Sequence, residues 1–140
     1  MDRFVLDCSY ALAWAFPSEW TTEREATHAN LECGNSEALV PPLWFYEVSN
    51  VLILAERRGS LTRAQSAKFS ASLMALPVLS SDAPLAQTFS SVAALAREHQ
   101  LTAYDTAYLR LAIDEDLPLA TLDEPLKKAA KKCGVLLIEP

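Results

Sequence analysis

Short apolar runs, each followed by a longer stretch with helical spacing, recur along the whole chain. The runs are Phe4-Val5-Leu6, Leu39-Val40, Pro77-Val78-Leu79, Leu119-Ala120-Thr121 and Val135 to Ile138. None alternates apolar with polar residues. Each therefore reads as a strand buried on both faces, the pattern of a parallel sheet covered by helices. Helices are expected over residues 9–16, 22–33, 43–58, 62–75, 84–99, 102–115 and 123–133. The segment 43–58 has the clearest apolar stripe, from Trp44, Val48, Val51, Leu52 and Ala55. Gly34, Gly59 and Gly134 each fall just past a helical stretch, the place of a left-handed cap. No linker or repeat interrupts the pattern, so residues 1–140 are expected to form a single α/β domain.

The isolation of those glycines also excludes two folds. A phosphate loop of the P-loop or dinucleotide type needs two or three glycines within about eight residues. Net charge is −6, whereas a protein that binds nucleic acid by bulk electrostatics is usually basic. An acidic chain that handles nucleic acid needs metal ions or a local basic strip. No uncharged stretch reaches the ~18–20 apolar residues of a membrane helix. Asp2 and Asp7 interrupt the N-terminal apolar run, which argues against a signal peptide. Cys8, Cys33 and Cys133 are odd in number and lack CxxC spacing, so reduced thiols and a cytoplasmic location are expected.

Ligands of open parallel sheets bind at the carboxyl ends of the strands. Asp7 ends the first run, Asp123 follows the run 119–121, and Asp105 lies in the first turn of a helix. Glu47 lies on the flank of the most apolar helix, a costly place for a carboxylate unless something pairs with it. Each Asp also reads as a helix cap. Asp7 precedes Ser9, Thr102-Ala103-Tyr104-Asp105 fits a capping box, and Asp123 precedes Pro125. If the four converge, their pKa values rise unless a cation offsets the charge. Oxygen donors of this kind suit Mg²⁺ or Mn²⁺.

Four segments, in order, resemble PIN-domain ribonucleases. They are Val5-Leu6-Asp7-Cys8-Ser9, Glu47-Val48-Ser49-Asn50-Val51-Leu52, Ala103-Tyr104-Asp105-Thr106-Ala107-Tyr108-Leu109 and Ala120-Thr121-Leu122-Asp123-Glu124-Pro125-Leu126. Length and order are similar to the VapC-type toxins of type II toxin–antitoxin systems. The resemblance implies a PIN-like three-layer α/β/α fold, with a short central parallel sheet surrounded by helices. It implies Mg²⁺-dependent hydrolysis of RNA, with Mn²⁺ as a substitute, by a site made of Asp7, Glu47, Asp105 and Asp123. Asp7 and Asp105 would hold the metal directly. Glu47 and Asp123 would complete the site, while Ser9, Asn50 and Thr121 would hold the carboxylates in place. It further implies a VapB-type antitoxin as partner and a homodimer. Cys8 departs from the family, which often has a small residue there.

Other residues divide between plain and functional readings. Lys127, Lys128, Lys131 and Lys132 lie on one side of the last helix, as a solvated face or as a strip that meets RNA phosphates. Trp14, Phe16, Trp20, Trp44, Phe45 and Tyr46 are expected mostly in the core. His28 and His99 are expected at the surface, and spacing suggests no Cys–His pair. The competing reading of the whole chain is a non-catalytic protein-binding module whose acids are helix caps. An aspartyl-phosphate phosphatase fits poorly, because Ser9 stands where a second Asp is expected.

Overall fold

A computed structural model describes all 140 residues. Four strands form one parallel sheet: β1 (Asp2–Leu6), β2 (Ser36–Val40), β3 (Val78–Ser80) and β4 (Leu119–Ala120), in the order β3-β2-β1-β4. Val5 pairs with Leu39 on one side and Leu119 on the other. Seven α-helices surround the sheet: α1 (Cys8–Ala13), α2 (Thr22–Glu32), α3 (Leu43–Arg57), α4 (Arg63–Met74), α5 (Ser91–His99), α6 (Ala103–Glu115) and α7 (Glu124–Lys132). With this strand order, the right-handed crossover rule assigns α1 to α4 to one face and α5 and α6 to the other, because the chain returns across β1 to place β4. Packing agrees: α3 touches α1 and α4, while α6 touches α5 and α7. The fold is the expected α/β/α arrangement, a short central parallel sheet surrounded by helices.

The core is the meeting of apolar runs with helix stripes. Val5, Leu6 and Leu119 are fully buried, as are Trp44, Tyr10, Tyr108 and Leu126. All three glycines take left-handed backbone just past a helix. At Gly59, φ is +78° and an added Cβ would meet nothing within 4 Å. Gly59→Ala therefore carries a backbone penalty only, and should cost about 1–2 kcal/mol in a urea melt.

Several expected elements are shorter than their sequence suggests, among them the helix expected over 9–16, which ends as α1 at Ala13. The segment expected as one helix over 84–99 is a 3₁₀ turn (Leu85–Phe89) followed by α5, with Ser90 at φ −113°, ψ −87° between them. Leu85 and Phe89 are exposed, so no packing supports an α-helix there. The Ser90 and Ser91 hydroxyls both donate to the Gln87 carbonyl, a local alternative to the helical pattern. The last run, Val135 to Ile138, makes one bridge, Leu119 to Leu137, rather than a strand. β4 itself ends at Ala120, because the next free N–H groups go elsewhere. Leu122 N–H donates to the Ser9 hydroxyl and Asp123 N–H to the Thr121 hydroxyl.

The aromatic set splits. Trp14 and Trp44 are core, but Tyr46 is exposed and Trp20 borders on it. Both histidines are half-buried and partnered, contrary to expectation. His28 sits edge-on to Trp14 and tilted against Trp20, with Glu32 3.6 Å away. His99 Nε2 lies 3.4 Å from Cys133 Sγ, so packing makes a Cys–His contact that spacing did not suggest. Burial pushes the Cys133 thiol up, with help from Glu98, so the pair is not an activated thiolate.

Candidate functional site

The strand order turns at β1. From there the chain moves outward through β2 to β3, then returns to place β4 on the other side. The crevice beyond the carboxyl ends of β1 and β4 is thus the topological switch point, where open parallel sheets bind ligands. Asp7 follows β1 directly and Asp123 lies three residues beyond β4.

Asp7 is 3% exposed. It occupies the N-cap position of α1, yet its carboxylate makes no cap bond. Instead Oδ2 accepts from the Ser9 and Thr121 hydroxyls, each at 2.6 Å. Those hydroxyls themselves accept the Leu122 and Asp123 N–H groups. The two strand ends are thereby laced together around one carboxylate oxygen, and Oδ1 is left outside the clamp. Burial holds the Asp7 pKa above the ordinary range, opposed by the two hydroxyls and reinforced by the charge of Asp123.

Glu47, in the first turns of α3, is half-buried and accepts a hydrogen bond from the Tyr108 hydroxyl on α6. Burial raises its pKa, the Tyr108 bond lowers it, and Asp7 and Asp105 raise it again. Asp105 opens α6. Thr102 caps this helix by accepting the Asp105 N–H, but the carboxylate does not complete a capping box as Gln65 does for Thr62 in α4. Burial, then Asp123 and Asp7, raise the Asp105 pKa. Asp123 does cap its helix, accepting Leu126 N–H at 2.9 Å.

Asp7 and Asp105 are therefore within electrostatic reach of each other and of both Glu47 and Asp123, from the ends of β1 and β4 and the starts of α3 and α6. The cap reading describes one of them, Asp123. The donor atoms of Asp7, Glu47 and Cys8 come closest, all within 4.8 Å of one another, and Asp105 is not in that tight group. Burial and the surrounding acids push the Cys8 thiol far up. Two of the three groups are carboxylates, hard oxygen donors of the kind that suits Mg²⁺ or Mn²⁺.

Ser9 and Thr121 thus hold a carboxylate. Asn50 does not: it is exposed and lines a groove beside Glu47. Lys127 also departs from the basic strip. It is 8% exposed, because α7 packs its Leu126, Ala129 and Ala130 face inward and draws in the neighbouring lysine stem. Its amine reaches Glu124 at 3.8 Å. Lys128, Lys131 and Lys132 are exposed. Tyr108 is the site residue that sequence reasoning left without a role. Its signal was the three-residue spacing from Asp105, which puts both on one face of α6.

The PIN domain family model matches residues 4–132. The crystal structure of PAE2754 from Pyrobaculum aerophilum is similar, with a TM-score of 0.72 and 26% identity, over 99% of this chain and 85% of that one. FitAcB from Neisseria gonorrhoeae shares the fold, with a TM-score of 0.64 and 18% identity, over 96% of this chain and 95% of that one. No curated protein matches the chain.

Proposed function

The chain belongs to the PIN domain family, whose members are generally nucleases, and from that premise we propose that it is a Mg²⁺-dependent endoribonuclease. The observation that carries this reading is the buried Asp7 carboxylate. It is fixed by two hydroxyls, caps no helix, and stands among three other acids. Such charge crowding is unfavourable without a cation. Asp7 and Asp105 would hold Mg²⁺ or Mn²⁺ directly, and the closeness of Glu47 to Asp7 would add it on that side. A bound cation of this class lowers the pKa of water and neutralises charge on a phosphate being cleaved. Ser9 and Thr121 fix the direction of the Asp7 carboxylate, and Tyr108 fixes that of Glu47. Glu47 and Asp123 would complete the site and help orient the attacking water. Lys128 and Lys131 meet RNA phosphates along α7; Lys127, being buried, is not in that strip.

The motif order and length further support a VapC-type toxin with a VapB-type antitoxin as partner. In this reading it works as a homodimer of single-domain chains, 1–140, in the cytoplasm. No helix is long and apolar enough to cross a membrane. The competing reading, a protein-binding module with acids as caps, is favoured by Asp123 alone.

The test is cleavage of a structured RNA by the purified chain with Mg²⁺ and with EDTA. Cleavage is expected only with the metal, and undiminished cleavage in EDTA would overturn the proposal. Tyr108→Phe removes the bond that favours ionised Glu47. It should cut cleavage about ten- to a hundredfold and move the acidic limb of the pH–rate profile upward.

A further inference from the structure

The groove that Glu47 shares with α3 and α6 has features the acidic cluster does not use. It encloses about 600 Å³ and is lined by Tyr46, Glu47, Ser49, Asn50, Ile53 and Tyr104. Tyr46 is 82% exposed and precedes Glu47; Tyr104 is 64% exposed and precedes Asp105. Both rings thus flank the site directly, yet neither is needed for packing. Ser49 and Asn50 are exposed beside them. No lysine or arginine lines the groove.

This combination selects among the parts of a nucleotide. A phosphate there meets no cation and stands next to carboxylates. A neutral base has a π-face for each ring, and an edge that an amide and a hydroxyl can pair with. A large tyrosine surface left in water beside a reactive site is also the arrangement by which unpaired bases are held without regard to sequence.

Resting on the ribonuclease reading, we propose that Tyr104 and Tyr46 form a stacking subsite for unpaired bases flanking the scissile phosphate, with Asn50 pairing to a base edge. The subsite positions a single-stranded segment, a loop or an end, so that its phosphate lies over the acids. It adds a base preference at the Asn50 position.

The experiment uses the full chain in an Asp7→Asn background, where the strand stays whole, with a fluorescent oligouridylate followed by anisotropy. Tyr46→Ala and Tyr104→Ala should each weaken binding at least about fivefold, and the Tyr→Phe variants should bind as the parent does. An abasic ribose-phosphate strand should bind weakly and equally to all of them. Unchanged affinity in the double alanine variant would overturn the subsite, as would an abasic strand bound as tightly as oligouridylate. So would a Phe variant as weak as the Ala variant. Sedimentation of the free variants adds another arm: if losing the rings abolishes self-association and leaves oligouridylate binding intact, the face belongs to a second copy and the subsite is wrong. Metal-dependent cleavage by the otherwise unchanged chain is scored in parallel. Its absence sinks the ribonuclease reading, whereas cleavage with KM unmoved by Tyr104→Ala sinks the subsite alone.

Discussion

Asp7→Asn should lower RNA cleavage by at least about a thousandfold, since losing several kcal/mol of metal-borne charge stabilisation is worth that much in rate. The same change should leave the thermal transition of the metal-free protein in place or raise it. The amide keeps the shape and can still accept from Ser9 and Thr121, so the lacing of β1 to β4 survives. What it loses is a charge that burial and Asp123 both disfavour. The protein-binding reading expects a different result: Asn caps a helix about as well as Asp, so stability would stay in place and there would be no RNA cleavage to lose. A variant that folds at the parent temperature and still cuts RNA would remove Asp7 from the mechanism. One that melts early would show that its role is structural.

Divalent metal should raise the melting temperature by about 5–10 °C. A ligand present at a hundred times its dissociation constant stabilises by about 2.7 kcal/mol, which for a chain of this length corresponds to that shift. The pH dependence should change with it. Asp7, Glu47 and Asp105 all have raised pKa values in the folded protein, with burial as the first cause. The unfolded chain therefore releases these protons first. Between the ordinary carboxylate range and the raised values the native state holds more protons, so metal-free stability falls as pH rises through that window. Saturating Mg²⁺ stabilises the ionised forms and should flatten or reverse the fall. Thermal melts across mildly acidic to neutral pH, with and without Mg²⁺ or Mn²⁺, measure both effects. Identical curves would leave the acids without a cation to hold.

The acidity has an uneven distribution. The four site carboxylates account for four of the six excess negative charges, so the rest of the surface is nearly balanced. Lys128, Lys131 and Lys132 are exposed on α7, with Glu98 and Glu124 lining the same cleft as Lys128 and Lys132.

Much of this molecule was determined within short spans of sequence. Unbroken apolar runs mark strands buried on both faces, and the periodic stripe of 43–58 became α3, with Trp44, Val48, Leu52 and Ala55 buried. Thr62 and Thr102 cap the helices they precede. These features depend on residues a few positions apart, where backbone geometry already brings the groups together. That Asp7, Glu47, Asp105 and Asp123 lie at strand ends and helix starts was legible for the same reason, because those positions are local. Tertiary structure decided which atoms meet. Thr121 reaches Asp7 across 114 positions and Tyr108 reaches Glu47 across 61. Only the placing of β4 beside β1, and of α6 against the start of α3, makes those bonds. The same long-range packing turned Lys127 inward, brought His99 to Cys133, and left Asn50 in an open groove instead of on a carboxylate. A residue's type sets which partners it can satisfy; how the layers stack decides which of them lies within hydrogen-bonding distance.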